Sequence, residues 1–182
     1  MGFLDAQTIA SDAALIVPNA SLFHFGILTS TMHNAWMRFT CGRLKSDYRY
    51  SASIVYNNFP WPDATGEALS DKHRQAIEAA AQAVLDARAQ FPGASLADLY
   101  DPMTMPPALL KAHQKLDTAV DAAYQPSGGK KTYASDAERV AFLFELYQRI
   151  TSLLPAPAAK KTRKTNAQES VDGSNNSRNK FL

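Results

Sequence analysis

Trp36 to Pro62 reads WMRFTCGRLKSDYRYSASIVYNNFPWP. The stretch holds seven aromatic residues (Trp36, Phe39, Tyr48, Tyr50, Tyr56, Phe59, Trp61) and four basic ones (Arg38, Arg43, Lys45, Arg49) against one acid, Asp47. Rings interleaved with guanidinium and ammonium groups suit a nucleic-acid surface, because the cations hold phosphate while flat rings stack or pack. The stretch also divides the chain. After Pro62 the β-branched and aromatic content falls and alanine rises.

Upstream of the stretch, Ala13 to Val17 (AALIV) is a short apolar run ending in Pro18-Asn19, which predicts a buried strand and a turn. Ser21 is placed to cap a helix running to about Thr40, with Gly42 just past its end. Leu22, Phe25, Leu28, Met32, Trp36 and Phe39 recur at three- and four-residue steps and give that helix an apolar stripe. Within the stretch, Arg43 to Tyr50 alternates loosely and reads as extended structure or a loop. Ile54 to Tyr56 reads as a strand, broken by Asn57-Asn58. Pro60 and Pro62 forbid its continuation.

Downstream, the periodicity predicts helices. One spans Ser70 to Phe91 and is ended by Pro92-Gly93; Ser95 to Tyr100 adds a short turn. Pro106-Pro107 sits where proline is tolerated, at a helix start, and Leu109, His113, Leu116, Val120 and Tyr124 then share a face. Ser127-Gly128-Gly129 reads as a linker. Ser135-Asp136-Ala137-Glu138 is a capping box opening a helix to about Leu154. That helix is apolar around much of its circumference, which predicts a central place in a small bundle. From Pro155 the chain has almost no hydrophobic residues and is expected to be disordered.

With 182 residues, the chain can bury one sizeable core or two small ones. Its single cysteine, Cys41, excludes an internal disulfide framework and a cysteine-based zinc site, and reads as a structural thiol in a reducing cytoplasm. No segment has the apolar length of a membrane span, and MGFLDAQTIASD is not a signal peptide. The net charge of +2 is unevenly spread. Beyond Pro155 six basic residues face two acids, so the body is slightly acidic and a DNA-binding surface must be local.

Catalytic motifs are missing. Methyl transfer to an exocyclic amine needs a glycine-rich cofactor loop and an Asn-Pro-Pro-aromatic type loop for a flipped base. Asn57-Asn58-Phe59-Pro60-Trp61-Pro62 has its prolines separated and reads as a rigid turn, and Pro106-Pro107 follows a methionine. A metal-dependent nuclease needs an acidic cluster, typically Asp followed by Glu-x-Lys, and none is found. The four histidines are isolated and read as packed or solvated.

Lys45-Ser46-Asp47 is the sharpest element of the basic stretch. Lysine donates to guanine O6 and N7, and aspartate accepts from cytosine N4. Two residues apart on an extended segment, they would point the same way and read one G·C pair. A surface Lys45–Asp47 ion pair of little energetic weight fits the same residues. Arg38, Arg43 and Arg49 are candidates for DNA backbone contacts, or for a solvated basic face.

The phrases Ile9-Ala10-Ser11, PNASLFHFGILTSTMH, AWMRFTCGRL, YRYSASIVYNNFPWP, SLADLYDPMTMPPALLKAHQKLD and DAERVAFLFELYQ, spread over Gly2 to Leu154, together resemble the MmeI-like restriction-modification DNA adenine methyltransferases. The resemblance implies the end of a target-recognition domain (1–62) and a helical C-terminal domain (63–154), mainly α with a small α+β remnant; the disordered basic tail (155–182) is expected from composition and lies outside the resemblance. The resemblance also implies that Lys45 and Asp47 occupy a position used to select a base. It further implies double-stranded DNA and upstream methyltransferase and nuclease domains as partners, with S-adenosylmethionine, and magnesium for cleavage, in a parent enzyme. The chain alone is then expected to be inactive. A small helical protein-interaction module with no DNA role is the competing expectation.

Overall fold

Helices begin where the sequence places its caps. The computed structural model describes residues 1–5, 7–11, 14–64, 69–125 and 132–152. Its elements are α1 (Leu22–Thr29), α2 (Thr31–Thr40), β1 (Gly42–Leu44), β2 (Asp47–Arg49), a π-helical turn (Ala52–Tyr56), a 3₁₀ turn (Pro62–Ala64), α3 (Asp71–Ala89), α4 (Leu96–Leu99), α5 (Pro107–Ala123) and α6 (Asp136–Thr151). Ser70 accepts from the His73 N–H at the start of α3, and Ser95 and Asp98 cap α4 reciprocally. Pro107 opens α5. Ser135 Oγ accepts from the Glu138 N–H, while the Glu138 carboxylate accepts from the Ala134 N–H at 2.7 Å. The predicted linker at Ser127-Gly128-Gly129 and the predicted disordered tail lie outside the described residues.

Two helices replace the single one predicted from Ser21 to Thr40. The chain turns at Ser30, which has ψ 159°. In a continuous helix the Thr31 N–H would donate to the Ile27 carbonyl. It donates instead to Asp117 Oδ1 on α5 at 2.7 Å, and Thr31 Oγ1 donates to Asp117 Oδ2 at 2.7 Å. Ser30 Oγ donates to the Ile27 carbonyl and accepts from the His33 N–H. The Thr31 and His33 N–H groups freed by the break are thus taken up by side chains, and the carboxylate sits at the positive end of α2.

Neither predicted strand forms. Ala13 lies outside the described residues, and Ala14 to Val17 run without strand pairing, with Leu15 and Ile16 58% and 63% exposed. A strand needs a pairing edge, and among the described residues β1 and β2 pair only with each other. Ile54 to Tyr56 belong to the π-helical turn, in which the Asn57 N–H donates to the Ala52 carbonyl at 2.9 Å. Val55 is buried while Ile54 is exposed. The Asn58 side-chain amide donates to the carbonyls of Ser53 and Ile54, which a sheet would otherwise satisfy.

The apolar interior crosses the compositional boundary at Pro62. Phe23, Phe25 and Ile27 of α1, Trp36 of α2, Val55, Ile77 and Val84 of α3, Leu109, Leu116 and Val120 of α5, and Leu143 and Leu146 of α6 form one buried cluster. α3 packs along α5, α1 lies against both, and α2 bridges to α6. α6 is peripheral rather than central: only Leu143 and Leu146 are buried on it. Its apolar girth is used on two sides. Phe144 meets Trp36 and Phe39, while Phe142 meets Tyr124 and Tyr133. A buried Arg139–Asp121 ion pair of 2.9 Å ties it to α5.

Gly26 sets how close α1 comes to α3 and α5. A Cβ placed there would lie 2.8 Å from Ile77 Cγ2 and 3.3 Å from both Ala81 Cβ and Leu116 Cδ1. Overpacking of this kind costs about 1–3 kcal/mol, more than the roughly 0.5–1 kcal/mol that alanine gains over glycine inside a helix. Gly26→Ala should therefore lower the denaturant midpoint, with a net loss of about 1–2 kcal/mol. An unchanged or raised midpoint would show that α1 does not pack at this distance.

Candidate nucleic-acid interface

The basic stretch folds as an exposed hairpin at the end of α2. β1 and β2 are antiparallel, with Gly42 opposite Arg49, Arg43 opposite Tyr48 and Leu44 opposite Asp47. All six strand residues are exposed. Lys45-Ser46 forms the two-residue loop, and Lys45 has φ 56°. Hairpin loops with a positive φ at the first central residue favour glycine there. A lysine held in that region costs about 1–3 kcal/mol, a strain that concentrates at functional sites.

The pairing splits the cations into distinct environments. The Arg43 guanidinium lies 3.9 Å from the ring centroid of its cross-strand neighbour Tyr48 and donates to the Ser46 carbonyl at 3.2 Å. It braces the hairpin from one face. Asp47 and Arg49, two apart on β2, point to the other face. Arg38, in the last turn of α2, donates to Asp136 of α6 at 2.6 Å. Among the described residues, the side chains of Lys45, Asp47 and Arg49 have no hydrogen-bond or ion-pair partner, so the surface Lys45–Asp47 ion pair is not made. The expectation that Lys45 and Asp47 lie on one extended segment is corrected: Lys45 is in the loop and Asp47 is the first residue of β2.

The expected aromatic face is corrected too. Trp36 and Phe59 are core residues, 2% and 4% exposed, and Tyr50, Tyr56 and Trp61 are half-buried. Only Phe39 and Tyr48 of the seven are exposed. Phe59 contacts His33, Trp36, Trp61 and Tyr124, so ring density in this stretch reports the core that carries the hairpin. Cys41, at the hairpin root, is half-buried.

Two buried side chains anchor the hairpin to α2. Trp36 Nε1 donates to the Val55 carbonyl at 3.1 Å. His33 Nε2 lies 3.0 Å from the Tyr50 hydroxyl, and the His33 ring meets Phe59 edge-on at 4.6 Å. Burial holds the His33 imidazole down to about 4 and pushes the Tyr50 hydroxyl up to about 12, so both are neutral at pH 7. Sequence reasoning left His33 as an isolated histidine. Its three-residue step to Trp36 on one helical face was the available signal.

Two family profiles match this chain: the MmeI target recognition domain over residues 1–63 and the MmeI C-terminal domain over residues 69–155. The chain belongs to the MmeI family. It is 43% identical over 151 residues to DNA methyltransferase A of Bacillus subtilis (strain 168), a match covering 83% of this chain and 16% of that protein. The structure of the Type IIL restriction-modification enzyme MmeI in complex with DNA is similar with a TM-score of 0.67 and 56% identity, over 75% of this chain and 17% of that one. This MmeI-type chain thus carries recognition and C-terminal segments that share a buried core, and it spans about a sixth of each relative. No helix among the described residues is long and apolar enough to cross a membrane.

The neutral, buried state of His33 has a pH consequence. Its imidazole titrates near 4 in the folded chain and near 6.5 when unfolded. Between those values the unfolded state binds the extra proton, so stability falls as pH drops from 6.5 towards 4 and is fully present above 6.5. The loss from this residue amounts to roughly 3 kcal/mol. His113, also lowered by burial, adds to the slope of the parent chain. In His33→Phe the pH dependence of the unfolding free energy should become markedly shallower across this window. The same slope in both proteins would mean that His33 is protonated in the fold.

Proposed function

We propose that this chain is the DNA-reading and C-terminal helical portion of an MmeI-type DNA adenine methyltransferase. The observation that supports it most directly is the hairpin itself. A loop lysine with positive φ, an aspartate and an arginine stand exposed and unpartnered among the described residues, on a turn anchored to buried Trp36 and His33. Unpaired charges on a rigid mount suit contact with a polyanion, because ordering has already been supplied by the core. The B. subtilis relative is a DNA methyltransferase and the solved relative is a DNA-bound restriction-modification enzyme, which favours DNA over a protein partner.

In this reading Lys45 and Asp47 select a G·C pair. The Lys45 ammonium donates to guanine O6 and N7 and the Asp47 carboxylate accepts from cytosine N4. The loop position places the long lysine at the hairpin tip, so its reach and not a shared strand face brings the two groups to one base pair. Arg49, Arg43 and Arg38 contact phosphates around them. Methyl transfer and cleavage belong to other parts of such an enzyme. The sequence has no glycine-rich cofactor loop or Asn-Pro-Pro-aromatic motif. Among the described residues no three His, Cys, Asp or Glu side chains are grouped to hold a metal ion. The residues here therefore do not fit S-adenosylmethionine or magnesium, and both are assigned to the methyltransferase and nuclease portions of a parent protein.

Phosphate and base contacts separate experimentally. Replacing Arg49 or Arg43 with alanine should weaken binding to all duplexes alike and flatten the plot of log affinity against log salt by about one unit per lost contact. A slope unchanged in both variants would leave the two arginines as structural residues. The base-reading pair is tested in a full-length enzyme carrying this segment. Lys45→Glu with Asp47→Arg should swap the preferred orientation of one base pair, C·G for G·C, at a discrimination of roughly 1–3 kcal/mol per contact. Sequencing of the methylated sites reads the outcome. Undiminished preference for the original sites would remove Lys45 and Asp47 from base reading.

A further inference from the structure

The proposed phosphate contacts are not equally available. Arg49 is unpartnered among the described residues, and Arg43 is stacked but unpaired with any acid there. Arg38 alone is held by a carboxylate, Asp136 Oδ2, at 2.6 Å. The two residues are 98 positions apart, on α2 and at the start of α6. Their side chains are 47% and 45% exposed, so a DNA phosphate has access to the same guanidinium. The pair sits in a surface groove with Phe39, Val140 and Phe144, and Arg38 lies four residues before the hairpin begins at Gly42.

We infer that Asp136 is a positioning residue that governs the Arg38 contact with DNA: its carboxylate competes with phosphate for the guanidinium and holds back sequence-independent binding. The inference rests on the proposed DNA-reading role. A charge-neutral pair recruits no phosphate and releases no counterion on binding, so an Arg38 closed onto Asp136 adds little to the salt slope. Exposed ion pairs of this kind are weak, which makes exchange of the carboxylate for a phosphate accessible. In consequence a residue of the C-terminal helical segment sets the strength of a contact made by the recognition segment.

Removing the carboxylate should not release α6. The rings of Trp36 and Phe39 on α2 pack against Phe144, Trp36 also meets Tyr147, and Arg139–Asp121 holds α6 to α5. Asp136→Asn is therefore expected to fold as the parent chain does, with Asp136→Glu as a charge-conserving control. Affinity of the 182-residue chain for a mixed-sequence duplex is measured across a salt series for both variants, for Arg38→Ala and for the Arg38→Ala/Asp136→Asn double variant. Asp136→Asn should bind every duplex more tightly, with a salt slope steeper by about 0.9. The gain should vanish in the double variant, and Asp136→Glu should match the parent. A chain that binds duplex while Asp136→Asn leaves affinity and slope unchanged overturns this inference alone. A gain that persists in the double variant also overturns it, because the effect then does not pass through Arg38. No binding by the parent chain even at low salt overturns the DNA-reading proposal together with it.

Discussion

The close approach of α1 to α3 and α5 at Gly26 is the constraint on which the other contacts depend. With no side chain at that position, Ile77, Ala81 and Leu116 come into contact range of the α1 backbone. The recognition segment and the C-terminal helices then share one interior. This approach also brings α5 near the start of α2, where Asp117 takes the Thr31 N–H and hydroxyl. The helix break at Ser30 follows, and with it the direction in which α2 leaves the core and delivers the hairpin. Apolar burial supplies the driving force, while a small number of polar groups fix the register of the parts.

Much of this was legible along the chain wherever the cause is local. Ser70, Ser95 and Ser135 each mark a helix start because a cap acts within three residues, and Pro107 marks one because its fixed φ suits the first helical position. The extended or loop reading of Arg43 to Tyr50 matches a hairpin with a two-residue loop. What the sequence did not disclose is non-local. The break at Ser30 is stabilised by the Asp117 carboxylate, 86 residues from Thr31, which no periodicity contains. The apolar girth of α6 suggested a central helix. The same residues instead serve two aromatic clusters, around Trp36 and around Tyr133, on a helix at the edge.

The aromatic stretch shows how one composition carries two meanings. Interleaved rings and cations resemble a stacking surface, yet Trp36 and Phe59 are interior and the cations are exterior. The two sets are connected by function of position. The rings bury the base of the hairpin, and Trp36 Nε1 and His33 Nε2 are engaged with the Val55 carbonyl and the Tyr50 hydroxyl. A hairpin of two three-residue strands has too little surface of its own to be stable in water. Its order is therefore inherited from α2 and the π-helical turn. The candidate site residues stand out in the sequence by chemical type, whereas their mounting does not.

That mounting bears on how charge works here. A chain with a net charge of +2 has no general attraction for DNA to rely on, so each cation's neighbourhood decides its contribution. Arg43 is fixed by Tyr48 and a carbonyl, which leaves its charge uncancelled while restricting its motion. Arg38 keeps comparable order through an acid, and its charge is cancelled in the process. Lys45 sits at a strained loop position and has no side-chain partner among the described residues. Braced and charged, paired and neutralised, and unpartnered and charged are three different starting points for meeting a phosphate or a base edge. Strong non-specific attraction would hold such a protein on every sequence alike, so a surface that limits it leaves more of the binding free energy to the groups that read bases. The placement of Asp136 beside Arg38, next to a hairpin whose proposed reading groups have no partner among the described residues, is an arrangement that suits such a division.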